Sequence, residues 1–148
     1  MQRPELFQVF FLFIVMRKIE HIGIAVKSLE VSIPLMEKLL NTPCYKIEEV
    51  ESEMVKTAFF LLGESKIELV EAKNPDSAIG KFIANRGEGM HHIAFDVADI
   101  YAEIERLMAE GFVMIQQTPK DGADNKLIAF MHPKSTNSIL VELCQEKA

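Results

Sequence analysis

His21-Ile22-Gly23-Ile24-Ala25-Val26 returns later in the chain as His92-Ile93-Ala94-Phe95-Asp96-Val97. Each copy reads as a β-strand of period two: in the first, Ile22, Ile24 and Val26 point one way and His21, Gly23 and Ala25 the other. The apolar side suits packing on a helix. The opposite side sets a histidine among small residues, where backbone and ligand can approach closely. Each copy is followed by a helical pattern and, later, by a strand that carries a glutamate: Ile67-Glu68-Leu69-Val70 in the first half, Val141-Glu142-Leu143 in the second. Glu68 follows His21 by 47 residues and Glu142 follows His92 by 50. A duplicated unit that supplies one His and one Glu from each half can close a four-ligand metal site on a pseudo-twofold axis.

Around the first repeat, residues 17–26 form a strand. Ser28 caps a helix to about Leu40 with Leu29, Ile33, Met36 and Leu40 on one face. Pro34 inside that pattern predicts a kink or a late start. Strands follow over 44–51, with Tyr45, Ile47 and Val50 inward, then over Val55–Leu62 and Lys66–Glu71. Asn74 to Ser77 is a turn and cap before a short apolar helix to Asn85. The second half repeats the order: a strand at 91–97, and a helix from Asp99 with Ile100, Ile104, Leu107 and Met108 at helical spacing, closed by Gly111. Strands over 112–116, Lys126–Met131 and Ile139–Gln145 complete it. The expected fold is α+β: two tandem βαβββ modules, about 17–72 and 91–146, joined by a linker helix at 77–85. They form an open curved mixed sheet around a central metal site, within a single domain over 17–148.

At 148 residues and 49% hydrophobic, the chain can build a substantial core. Its net charge of −6 argues against a nucleic-acid surface, which needs a basic face. Two cysteines, Cys44 and Cys144, make no disulfide framework and fit a reducing cytoplasm. The apolar run Phe7–Met16 is too short to span a bilayer, which takes about 20 residues. It reads as an extra element, a secretory segment, or an apolar extension upstream of a true start at Met16. The last is favoured, with 1–16 set apart from the domain. No membrane partner is expected.

Two imidazoles and two carboxylates (His21, Glu68, His92, Glu142) suit a borderline divalent ion such as Co, Mn, Ni, Fe or Zn, with positions left open for substrate oxygens. Adjacent strand residues face opposite sides, so the repeat register selects His92 over His91 and leaves His91 structural or in the second shell. Glu71 falls on the face opposite Glu68 and reads as solvated. Most of Phe59, Phe60, Phe95, Phe130 and Met131 read as core, as do Met36 and Met108.

From Arg17 onward the sequence resembles the methylmalonyl-CoA epimerase family of the vicinal oxygen chelate superfamily, which also contains glyoxalase I. The resemblance rests on residues 21–30 (HIGIAVKSLE), 63–71 (GESKIELVE), 87–95 (GEGMHHIAF), 132–136 (HPKST) and 140–143 (LVEL). It implies an isomerase that binds a divalent ion, cobalt foremost, through His21, Glu68, His92 and Glu142. The implied reaction is proton transfer at the carbon between two carbonyl groups of an acyl-CoA, through an enolate whose charge the ion offsets. Glu142 is the first candidate for acid/base catalysis. Some relatives carry a second Glu where Thr57 stands here; Thr57 cannot act as a base, and a water or Glu48/Glu49 are the weaker choices. Lys134 and Ser135 in the HPKS loop, with Lys120 and Lys126, are candidate partners for the CoA phosphates. Asn137-Ser138 replaces a glycine pair common in relatives, so that loop is expected to be stiffer or differently shaped. A homodimer and a place in propionate metabolism also follow from the resemblance. The alternatives are a glyoxalase I-like lyase acting on a glutathione hemithioacetal and a non-catalytic small-molecule binding protein of the same fold.

Overall fold

In the computed structural model, residues 16–148 are described. The expectations for the apolar N-terminal segment fall on 1–15, outside the described residues. The first half runs β1 (Met16–Val26), α1 (Leu29–Leu40), β2 (Lys46–Val50), β3 (Val55–Leu62) and β4 (Ser65–Ala72). Helix α2 (Ala78–Arg86) leads to the second half: β5 (Gly89–Val97), α3 (Ile100–Ala109), β6 (Lys120–Asp121), β7 (Lys126–Met131) and β8 (Val141–Glu146). The eight strands among the described residues join one sheet in the order β2-β3-β4-β1-β5-β8-β7-β6. β1 runs parallel to β4 and β5 parallel to β8; the other neighbours are antiparallel. Each half is therefore a βαβββ unit with the same internal order, and the halves meet at β1 and β5. None of the helices among the described residues is long and apolar enough to cross a membrane.

Hydrophobic periodicity decides which face each helix covers. Leu29, Ile33, Met36 and Leu40 of α1 pack on Val26, Ala58, Phe60 and Leu69. Ile100, Ile104 and Leu107 of α3 pack on Val97, Ala129, Met131 and Leu143. Met108, expected in that stripe, is 41% exposed, because three buried positions already fill the contact. Helix α2 lies on the other face of the sheet, where Ile79, Phe82 and Ile83 meet Ala25, Val55 and Val70. Helix α1 starts at Leu29 although Pro34 lies inside it, so its start is not delayed.

Both long helices share a device that period counting misses. Ser28 and Asp99 cap α1 and α3 by accepting from Val31 N–H and Ala102 N–H. The first N–H of each helix is taken by the sheet. Leu29 N–H donates to Glu71 Oε1 at 2.9 Å, and Ile100 N–H donates to Gln145 Oε1 at 2.7 Å. Glu71 is thus a helix-terminus acceptor rather than a solvated charge. It sits three residues after Glu68, as Gln145 sits three after Glu142.

Other expectations need correction. Tyr45 and Ile47 are 46% and 53% exposed, because β2 is the sheet edge and α1 covers its neighbours instead. No strand forms over 112–116. Met114 makes a single bridge to Met131, and the Gln116 side chain accepts from Phe130 N–H at 2.7 Å, where a backbone ladder would continue. The second module's edge strand is instead the two-residue β6. Asn137 and Ser138 hold φ of 55° and 66°, the left-handed conformation that glycine adopts without cost.

Removing the shared acceptor tests the capping account. Glu71→Ala should cost about 1 kcal/mol in urea unfolding, whereas Glu71→Gln, which keeps an oxygen as Gln145 does, should stay within about 0.5 kcal/mol of the parent. Equal losses for both would show that the charge, not the acceptor, matters.

Candidate metal centre

The register of the four central strands builds the site. Gly23 of β1 lies beside Glu68 of β4 on one side and His92 of β5 on the other. Ala94 of β5 lies between His21 of β1 and Glu142 of β8. Two rows result, Glu68–Gly23–His92 and His21–Ala94–Glu142, related by the duplication. Each row has a small residue at its middle, so the flanking side chains can lean together. His21 Nε2 lies 3.0 Å from His92 Nε2, 3.0 Å from Glu142 Oε2 and 3.6 Å from Glu68 Oε2. His92 Nε2 lies 3.8 Å from Glu68 Oε1. All four side chains are buried. Gly23 is required here: a Cβ at that position would fall 2.0 Å from His92 Cε1.

Strand irregularities supply the supporting groups. In the pairing of β1 with β5, the register shifts at Glu20, between Ile19 and His21, and again at His91, opposite the step from Gly23 to Ile24. An extra residue in a strand turns two neighbours to one side. Glu20 and His21 are accordingly both buried, and His91 shares the cavity wall with His92. The rule of alternation that set His91 opposite His92 fails at this bulge. His21 Nδ1–H donates to Glu20 Oε1 at 3.3 Å, and the Nδ1 atoms of His91 and His92 are 2.9 Å apart. In each module the residue before the histidine holds its Nδ1, which leaves Nε2 for the centre. The Glu20-His21 and His91-His92 doublets were the signal for this in the sequence.

Electrostatics bind the group together. For His21, burial opposes the charged form but is outweighed by Glu68 and Glu142, so its pKa stands well above the ordinary value. Burial, partly offset by His21 and reinforced by Glu142, raises Glu68. For Glu142, burial is overcome by His21, which holds the carboxyl below its usual range. Burial lowers His92. Two imidazole nitrogens and two carboxylates converging in a buried pocket fit a divalent ion, which would displace the His21 proton. Its affinity would therefore rise with pH.

Glu68, His92 and Glu142 line a cavity of about 210 Å³ whose remaining lining is mostly apolar, with Val55, Val70, Ile79, Ile128 and Leu140, and includes Glu53 and His91. A groove of about 560 Å³ carries Lys81, Arg86 and Lys134 and shares Ala78, His91, His92 and Leu140 with that cavity. Of the four residues proposed for phosphate contacts, Lys134 alone lines this groove. Ser135 braces its own loop, its hydroxyl accepting from Val113 N–H and donating to the His132 carbonyl. Lys120 is paired with Glu53. Lys126 is 7% exposed and lines a small separate cavity beside Glu20 and Cys144. Lys81 and Arg86 escaped sequence reading because a linker-helix charge looks the same whether or not a groove lies beneath it.

Residues 20–130 match the Glyoxalase/Bleomycin resistance protein/Dioxygenase superfamily. The chain belongs to this superfamily. An uncharacterized protein of Bacillus subtilis is 38% identical to it over 89% of this chain and 94% of its own. The ethylmalonyl-CoA/methylmalonyl-CoA epimerase of Cereibacter sphaeroides is 35% identical over 86% of this chain and 97% of its own. A variant of Streptomyces coelicolor methylmalonyl-CoA epimerase, solved in complex with 2-nitronate-propionyl-CoA, superposes with a TM-score of 0.87. That structure is 32% identical and covers 90% of this chain and 96% of its own. Within the superfamily the protein is therefore an enzyme of the isomerase class, similar to epimerases.

Gly23→Ala should push the His92 ring aside and weaken divalent-ion binding by about tenfold or more in calorimetric titration, with far-ultraviolet circular dichroism unchanged. Undiminished affinity would show that the His92 ring is not held over Gly23.

Proposed function

We propose that the protein interconverts the 2R and 2S forms of methylmalonyl-CoA, using a divalent ion held by His21, Glu68, His92 and Glu142. The observation that carries this reading is the continuity of three features: the buried His/Glu centre, the apolar cavity against it, and the cationic groove opening from that cavity. Methylmalonyl-CoA would use all three, for its thioester and carboxylate oxygens, its C2 methyl group and the phosphates of CoA respectively. Cobalt is our first choice of ion, with Mn, Ni, Zn and Fe compatible with the same nitrogen and oxygen donors. Such an ion supplies Lewis-acid polarisation of the substrate's carbonyl groups.

The chain's own residues move the proton. Both hydrogen bonds of Glu142 with described residues run through Oε2, so Oε1 is the oxygen offered to the substrate C2–H. Inversion requires a second group on the opposite face. Thr57 is not that group, since its hydroxyl donates to the Glu48 carbonyl at 3.2 Å. Glu48 accepts from Asp124 N–H and pairs with Lys46, while Glu49 pairs with Lys73; neither lines the cavity. Glu53, just before β3, does line it and is paired there with Lys120. We assign Glu53 to the second face. Lys81, Arg86 and Lys134 would hold the CoA phosphates. Val31, Leu35 and Leu39 are 70%, 61% and 71% exposed along the outer side of α1. We assign that stripe to a second copy of the chain; a monomer at micromolar concentration in sedimentation equilibrium would refute it.

The deciding assay follows C2 proton exchange in deuterated water with each enantiomer of methylmalonyl-CoA, with the ion removed and restored. Ion-dependent exchange with interconversion is expected. Glu142→Gln should lower it about a hundredfold or more. Glu53→Gln should leave exchange from one enantiomer while interconversion is lost. Absence of exchange with any ion bound would overturn the epimerase reading, and full interconversion in Glu53→Gln would overturn the second assignment alone.

A further inference from the structure

The centre has a second side that the proposed reaction does not use. Cys144 lies two residues beyond Glu142 on β8 and is fully buried. Its thiol donates to Glu142 Oε2 at 3.0 Å, the same oxygen that faces His21. One donor atom each from His21, Glu142 and Cys144 lies within 4.8 Å of the other two, a group distinct from the one formed by His21, Glu68 and His92. A separate cavity of about 20 Å³ adjoins this side; Glu20, His21, Glu68, Glu142 and Cys144 line it together with Asp124 and one cation, Lys126. That volume suits a single ion or water rather than an organic ligand.

We propose that His21, Glu142 and Cys144 form a second, overlapping ion position that takes a thiophilic divalent ion such as Cd²⁺ or Zn²⁺. The donor chemistry separates it from the first. The set of His21, Glu68, His92 and Glu142 offers nitrogen and oxygen alone, whereas this one adds a thiolate, which favours soft ions over Mn²⁺ or Mg²⁺. Three protein ligands with nitrogen, oxygen and sulfur donors match the open tetrahedral pattern of zinc. On binding, the Cys144 thiol proton leaves to solvent and the sulfur–metal bond replaces the hydrogen bond to Glu142. His21 and Glu142 belong to both sets, so the two positions exclude each other. An ion on the Cys144 side withdraws both residues from the cavity side and is inhibitory whatever the substrate. Zn²⁺, which suits both donor sets, should therefore activate this protein less well than a harder ion that occupies only the first.

The probe is Cd²⁺, titrated calorimetrically into the ion-free protein, with Mn²⁺ as the hard-ion control. The unmodified protein should gain a near-ultraviolet thiolate-to-cadmium charge-transfer band that saturates at one ion per chain. Cys44 lies under α1 away from the centre, so Cys44→Ser should keep the band. Cys144→Ser, which retains a hydroxyl toward Glu142, should lose it and weaken Cd²⁺ binding by about tenfold or more. Its Mn²⁺ affinity should shift by less than about threefold. Absence of the band in the saturated, unmodified protein overturns the proposal without reference to any variant. So does an equal loss of Cd²⁺ and Mn²⁺ affinity in Cys144→Ser, which would make Cys144 only a support for Glu142.

Discussion

Everything at the centre depends on the register between β1 and β5. Those two strands carry the histidines, and their parallel partners β4 and β8 carry the glutamates. Side chains alternate along a strand, so a slip of one residue would send His21 or His92 into the helix-covered face and leave a glutamate buried alone. A lone buried carboxylate is costly, whereas four groups that converge share protons and hydrogen bonds. The apolar stripes beneath α1 and α3 enforce the register from the other side: Val26, Ala58, Phe60 and Leu69 for one module, Val97, Ala129, Met131 and Leu143 for the other. The core therefore specifies the site, and the site penalises any other core.

The duplication extends beyond the four donors. In each half the residue before the histidine holds its Nδ1, and the residue three after the glutamate takes the first helical N–H. The halves differ where function would need asymmetry. Val70 stands two residues after Glu68 and faces the larger cavity; Cys144 stands two after Glu142 and faces the smaller one. Gly23 gives His92 room that Ala94, its counterpart, does not need to provide.

Much of this was legible in the sequence, because a repeated hexapeptide and two trailing glutamates encode period and spacing together. The helix stripes of α1 and α3 were readable for the same reason, as was the limit of α1 at Asn41. The failures have a common cause. A bulge at His91 breaks the period-two rule at the very doublet where it was applied, and another at Glu20 does the same on β1. The exposure of Tyr45 and Ile47 depends on β2 being an edge, which is a property of the whole sheet. Lys120, Lys126 and Ser135 were placed by loop composition, and composition does not say that each already has a partner or a buried position.

The sheet curls until its two edges face one another, and among the described residues no backbone ladder joins them. Asp124, in the loop before β7, instead binds Tyr45, Lys46 and Lys66 of the first module, and Lys120 pairs with Glu53. This seam is made of side chains, so it can part and re-form while every strand pairing stays intact. For the thioester proposed as substrate, such a seam would be a door held by ion pairs, one that opens without unfolding the frame.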